Sequence, residues 1–233
     1  MKGCVDVDRI SVINLGMVNV YLLKGEKGCV LVDTGTKGSD VKILEAVKAQ
    51  GFEPADIKLI VLTHGHSDHF GSLHTLVDKT GAEVLVHQKE YDLMATAGDD
   101  GVRGFSIFMK LLIGMATKLS KNQSKSQEYK ADILIEDTYD LSPYGIDGKL
   151  IWTPGHTKGS ISVLLGDGKA VIGDSLMAMM PWSKPKRPML GYDMNLIKKS
   201  MNQLIDLGAN RFYLSHGKDY DVEIIKKALT KFN

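Results

Sequence analysis

Hydrophobic positions in the first third of the chain fall into short β-rich runs. Val18–Leu23 and Cys29–Val32 flank Lys24-Gly25-Glu26-Lys27-Gly28, a turn, and together predict a hairpin. Asp33-Thr34-Gly35 ends the second run. Asp40 then has the character of a helix N-cap before Val41, Ile43, Leu44 and Val47, with Gly51 closing the helix. Leu59-Ile60-Val61-Leu62 is apolar throughout, as a strand buried on both faces requires, and it stops at Thr63-His64.

The same order recurs toward the C-terminus. Ile161–Leu165, Gly166-Asp167-Gly168 and Ala170–Ile172 predict a second hairpin, ending in Gly173-Asp174-Ser175. Asp193 precedes a helical pattern (Leu196, Ile197, Met201, Leu204, Ile205) closed by Gly208, and Phe212-Tyr213-Leu214 runs into Ser215-His216-Gly217. The shared order of hairpin, aspartate, helix, strand and Ser/Thr-His-Gly predicts two similar halves that offer strand ends to one site. Between them, Gly98 to Gly148 is the least regular stretch. Phe105, Phe108, Leu112, Met115 and Leu119 share one face of a helix candidate, followed by a polar link over Ser120–Lys130. That helix suits a core element, a lid over the site or a dimer contact, with membrane-surface binding a distant fourth option.

The chain has 233 residues, with 29 Lys+Arg against 28 Asp+Glu, a formal charge of +1, 43% hydrophobic and 24% charged residues. That is the composition of one globular domain over 1–233 with an adequate core, and the expected lid insertion lies around 98–130. Near-neutral charge gives no general attraction for nucleic acid or an anionic membrane, so neither is an expected partner. No leader-like apolar stretch opens the sequence, and cytoplasmic residence is the expectation. Cys4 and Cys29 are too few for a disulfide framework or a cysteine-rich zinc site. Any metal must therefore be held through nitrogen and oxygen.

Seven histidines supply the nitrogen. His64-Gly65-His66-Ser67-Asp68-His69 follows the buried strand directly, and neutral imidazoles and carboxylates suit zinc, iron or manganese. His64 and His66, two apart on an extended turn, can point to one ion; Asp68 and His69, opening the next helix, can turn toward another. Thr153-Pro154-Gly155-His156, Gly173-Asp174 and Ser215-His216 add donors at other strand ends. Asp33, at the end of the second run, reads as a helix- or turn-capping aspartate. His74 and His87 match no ligand position and are expected to be structural.

These motifs, in this order from about Val18 to Gly217, resemble the metallo-β-lactamase superfamily. The resemblance implies an α+β fold: a four-layer αββα sandwich of two mixed β-sheets flanked by helices, with the site at one sheet edge. It implies His64, His66 and His156 on a first metal, Asp68, His69 and His216 on a second, and Asp174 bridging them. Two divalent ions are implied, zinc foremost, with iron or manganese as alternatives. For Asp33 it implies a buried partner that orients the ligand loop.

The implied activity is a dinuclear hydrolase using a metal-bound hydroxide, with Asp68 or Asp174 moving the proton. Asp174 stands where classical β-lactamases carry cysteine, so the chain is closer to the glyoxalase II-like branch, although its tail after His216 is too short for that enzyme's glutathione-holding helices. A small ester, thioester or lactone, partly hydrophobic, is the expected substrate. Leu176–Trp182 offers an apolar wall, Lys184, Lys186 and Arg187 could meet an anionic group, and Tyr192 could match the tyrosine of quorum-lactone hydrolases. A homodimer is compatible with the apolar helix. The alternative is a mononuclear iron enzyme resembling persulfide dioxygenases; a phosphodiesterase or nuclease and a non-catalytic metal-binding module rank below it.

Overall fold

The structure is a computed structural model that describes residues 9–91, 103–104, 131–180 and 182–232. In the N-terminal half, β1 (Ile10–Asn14), β2 (Asn19–Gly25) and β3 (Gly28–Val32) run antiparallel. They are followed by α1 (Asp40–Ala49), β4 (Ile57–Val61), the single turn α2 (Ser67–Phe70), α3 (Leu73–Thr80) and β5 (Glu83–His87). Strands β3, β4 and β5 and then β7 (Ile133–Ile135) are parallel neighbours, giving a mixed sheet in the order β1-β2-β3-β4-β5-β7. The short β6 (Arg103–Gly104) pairs instead with β12 (Leu190–Gly191).

The second sheet has the order β14-β13-β11-β10-β9-β8. Its strands are β8 (Thr138–Asp140), β9 (Gly148–Trp152), β10 (Ile161–Leu165), β11 (Lys169–Val171), β13 (Arg211–Tyr213) and β14 (Asp219–Asp221). Helix α4 (Met194–Asp206) joins β11 to β13, and α5 (Val222–Leu229) follows β14. The expected internal similarity holds in the topology. In each half an antiparallel hairpin (β2–β3, β10–β11) ends at an aspartate and leads through a helix to a strand parallel to the hairpin's second arm.

Alternation along the strands builds the four layers. Tyr21, Leu23, Val30, Val32, Leu59, Val61 and Leu85 face Leu150, Ile161, Val163, Leu165, Val171 and Tyr213 in the core between the sheets. Their neighbours Val20, Leu22, Leu31, Ile60 and Val84 point outward onto Ile43 and Val47 of α1 and Leu73 and Leu76 of α3. On the far side, Ile151, Leu164, Ala170 and Phe212 pack on Ile197, Met201 and Leu204 of α4 and Ile225 and Leu229 of α5. An αββα sandwich results, two mixed sheets with helices on both outer faces, as expected.

Local signals mostly behave as expected. Asp193 caps α4, its carboxylate accepting from the Asn195 and Leu196 amides. Gly51 and Gly208 stop their helices with φ of +84° and +98°. Asp40 is the exception: the cap position falls on Ser39, and Asp40 instead binds Lys79 at 2.7 Å, tying α1 to α3. The expected lid around 98–130, including the Phe105–Leu119 face, lies outside the described residues apart from Arg103–Gly104. Among the described residues no helix is long and apolar enough to cross a membrane.

Across the sandwich, the sheets are stitched near one end by hydrogen bonds. The Tyr21 hydroxyl of β2 donates to the Leu214 carbonyl just past β13 (2.6 Å), and the Ile161 amide of β10 donates to the Thr63 carbonyl just past β4 (2.9 Å). Tyr21→Phe should therefore cost about 1 kcal/mol in urea denaturation, since Leu214 keeps a second donor in Asn19.

Candidate metal centre

Parallel strands that share a direction deliver their C-terminal ends to one edge, which is where ligands bind in sheets of this kind. Asp33 follows β3 and His64 follows β4. In the second sheet Asp174 follows β11, and His216 follows β13. His156 arrives on the loop between β9 and β10. Gly155, with φ +141°, lets that loop press against α4, because a Cβ there would strike the Ile197 backbone.

All seven residues expected as ligands converge. Donor atoms of His64, His66, His156 and Asp174 lie within 4.8 Å of one another, and so do those of Asp68, His69 and His216. In the first group His66 Nδ1 lies 3.0 Å from His64 Nε2 and 3.1 Å from His156 Nε2. In the second, His216 Nε2 lies 3.2 Å from Asp68 Oδ2. Asp174 stands between the groups, 3.4 Å from His69 and His216, 3.6 Å from His156 and 4.0 Å from His64.

Ring orientation is set from outside the cluster. His156 Nδ1 donates to the Leu190 carbonyl (3.0 Å), and His216 Nδ1 donates to the Met17 carbonyl (2.7 Å). His69 Nδ1 meets Asp33 at 2.7 Å. The Thr63 hydroxyl donates to Asp33 and is thereby left to accept from His64 Nδ1 at 3.0 Å. Each of these four imidazoles spends its Nδ1 proton outward, so in the neutral form its Nε2 lone pair faces the centre. That is the arrangement in which outer partners select the tautomer of metal-ligating histidines.

The site fits a divalent metal on several counts. His69 Nε2 and Asp174 Oδ1 are buried without a hydrogen-bond partner. Nitrogen atoms 3.0–3.1 Å apart stand near the spacing of about 3.3 Å that ligands on tetrahedral zinc at about 2.0–2.1 Å adopt. Asp33, Asp174 and Glu90 are buried carboxylates with no lysine or arginine pairing among the described residues. Buried anions need a counter-charge, and cations at the cluster would supply it.

Asp33 proves to be a partner of the site, not a cap. Its backbone is held at φ +65°, a conformation asparagine and aspartate tolerate better than most residues. Its carboxylate accepts from the Thr63 amide and hydroxyl and from His69, so one side chain fixes the bases of His64 and His69 together. His74 sits exposed on α3 and His87 stacks on Trp152 (5.4 Å), both outside the two donor groups. Tyr192 binds the His156 backbone through its own amide, while its ring is 41% exposed beneath Lys158.

Two residues escaped sequence inspection. Asn19 donates to the Leu214 and Gly217 carbonyls on either side of His216 (3.1 and 2.6 Å). Glu90, just past β5, accepts from the Gly65 and Gly159 amides, both at 2.8 Å. Its place after a parallel strand, in line with Asp33 and His64, was the signal that could have marked it.

The protonation pattern of the metal-free protein is split. Burial, reinforced by neighbouring imidazoles, holds His64 well below the ordinary histidine range; burial also pushes His156 down to about 4. Burial opposes charge on His69 and His216 too, but Asp33 and Asp174 outweigh it at His69, and hydrogen bonds to Asp174 and Asp68 raise His216 to about 10. Asp174 resists burial and stays well below the usual carboxylate range beside His69 and His216. A raised histidine stabilises the fold below its unfolded value and loses that contribution as pH climbs through the folded one; a lowered histidine does the reverse. Metal-free protein should therefore lose melting temperature from about pH 6.5 up to 10 through His216, and from about 6.5 down to 4 through His156. Thermal melts across pH test this, and added zinc should flatten the alkaline limb by replacing the proton.

Known proteins share both the sequence pattern and the fold. The family description "Metallo-beta-lactamase superfamily" matches residues 13–216. The probable metallo-hydrolase YqgX of Bacillus subtilis is 28% identical over 209 residues, 88% of this chain and 87% of its own length. The archaeal metallo-beta-lactamase superfamily protein ST1585 from Sulfolobus tokodaii superposes with a TM-score of 0.66 at 26% identity, over 95% of this chain and 85% of that one. TTHA1429 from Thermus thermophilus, a metallo-beta-lactamase family protein, superposes at 0.68 over 97% and 78%, and at 21% identity it speaks for the fold alone. With the family pattern matched over residues 13–216, the chain belongs to the metallo-beta-lactamase superfamily.

Proposed function

We propose that the chain is a dinuclear metal-dependent hydrolase of small esters, thioesters or lactones. One observation carries this: two donor groups, His64/His66/His156 and Asp68/His69/His216, adjoin each other with Asp174 facing both. Two divalent ions, zinc by preference, would supply Lewis acidity there, bringing the pKa of a water toward 7 and polarising the scissile carbonyl. Kinship with proteins named probable metallo-hydrolases supports hydrolysis as the reaction class.

The two carboxylates take different tasks. Asp174 is 4% exposed and enclosed by four imidazoles, so it cannot trade protons with solvent; it serves as the fixed negative charge between the donor groups. Asp68 is 37% exposed and hydrogen-bonded to His216, with its pKa held down by that contact against burial. Of the two donor-group carboxylates, it is the one open to solvent. Asp68 takes the proton of the attacking water and returns it to the departing oxygen or sulfur. The substrate's apolar part is assigned to the exposed Met179, Met180 and Trp182, which follow Asp174 in sequence, and an anionic group to Lys184, Lys186 or Arg187.

Metal analysis of the purified protein with a panel of esters, thioesters and lactones tests the assignment. The expected result is two equivalents of a divalent metal and turnover on at least one class. One iron with oxygen uptake on a persulfide would replace hydrolysis with oxidation, and full turnover without metal would remove the metal from the mechanism. His66→Ala and Asp174→Ala should each lose bound metal and bring turnover below detection. Asp68→Asn should retain the first ion and lower kcat by about 10²–10⁴-fold, with loss of the acidic limb of the pH profile.

A further inference from the structure

We infer that Glu90 is a positioning residue for the His64/His66/His156 donor group: its carboxylate sets the spacing between the two loops that carry those histidines. The inference rests on the metal-centre assignment above and extends it to a side chain outside the donor set.

The two loops come from different sheets. His64 and His66 sit on the turn after β4, and His156 sits between β9 and β10. A difference in their separation is a difference in the distance from His66 Nδ1 to His156 Nε2, now 3.1 Å. Glu90 spans that gap. One oxygen accepts the amide of Gly65, the residue between His64 and His66, and the other accepts the amide of Gly159, three residues past His156, both at 2.8 Å. Charge-assisted bonds to backbone amides are short and strong, and here both oxygens of one rigid carboxylate are used, so the spacing of the two loops follows from the width of the group.

Three further features agree. Glu90 is 1% exposed and has no ion pair among the described residues, so the pair of amides is what compensates its burial there. Gly159 leaves it room: a Cβ there would fall 2.8–2.9 Å from the Glu90 Cγ, amide nitrogen and Oε1. The backbone that carries Glu90 is itself clamped to the His156 side. His87 stacks on Trp152, Lys89 lies 4.2 Å over the same ring, and the Trp152 indole donates to the Lys158 carbonyl beside Gly159. Neither oxygen belongs to a donor group, so the role is exerted through the two loops and not by contact with the ion.

The test uses the full chain and cobalt(II) or zinc as the probe. Affinity is read by competition with a chelator, coordination by the visible absorption of the cobalt-loaded protein, and stability by melting of the metal-free protein. Glu90→Ala should weaken the first ion about 10–100-fold and shift the cobalt bands, leaving the second ion's affinity within about threefold. Glu90→Gln, which keeps the shape but turns an N–H donor toward one of the amides, should fall between wild type and Glu90→Ala. Gly159→Ala should move the same bands without altering the carboxylate. If Glu90→Ala does not fold, the other two variants carry all three readouts. Wild-type affinity and spectrum in the folded variants would overturn the inference, as would a lowered melting temperature with an unchanged spectrum. Failure of wild-type protein itself to bind either ion would overturn the metal-centre assignment along with it.

Discussion

Asp174 is a buried carboxylate with imidazole nitrogens from both sheets 3.4–4.0 Å away, and most of the site can be understood as the consequence of keeping it there. An isolated charge in such a position would be neutralised or would unfold its surroundings. In the metal-free protein the compensation comes from His69 and His216, whose affinity for protons is raised by the carboxylates beside them, while His64 and His156 stay neutral. Protonated imidazoles can thus offset the carboxylate where no ion does. The cluster is organised around an anion that must always be answered, and a divalent cation answers it without a proton.

That arrangement demands positions accurate to a few tenths of an ångström from loops, which are the least regular parts of the chain. Accuracy comes from hydrogen bonds, most of them between the sheets and some within one. Tyr21 and Asn19 of β2 hold the carbonyls around His216, the Ile161 amide holds Thr63 at the base of His64, and Asp33 ties Thr63 to His69. Glu90 adds the link from Gly65 to Gly159. Each tether joins segments far apart in sequence, and each ends on backbone or on an outward-facing ring nitrogen. The donor atoms themselves stay directed at the centre. The same bonds that fasten the two halves of the sandwich thus aim the ligands, so fold stability and site geometry are coupled at this edge.

Much of this was legible in the residues. The β-rich run Val18–Leu23 marked β2, the apolar Leu59–Leu62 run marked β4, and the paired order of hairpin, aspartate, helix and strand anticipated two sheets built alike. The seven expected donors are the seven that converge. Other features were not legible. Strand β1 carries no clean alternation and is ordered by packing, with Ile10 between the sheets and Ile13 on the outer face. Asp40 has the composition of a cap, yet Lys79 lies close enough in space to claim its carboxylate.

The sequence by itself determined which atoms are available: five histidines and two aspartates at strand ends, with the short spacings in His64–His69 that let one turn serve two donor groups. Those are local matters of side-chain chemistry and backbone reach. Only the tertiary structure decided which nitrogen of each ring faces inward, why Asp33 and Asp174, equivalent in the two halves, do different work, and that Glu90 and Asn19 belong to the site at all. Asp33 binds Thr63 and His69 within its own sheet, while Asp174 faces histidines from both. The physical reason is that these properties are set by partners brought within hydrogen-bond distance by sheet packing, and no spacing along one strand encodes what lies across from it.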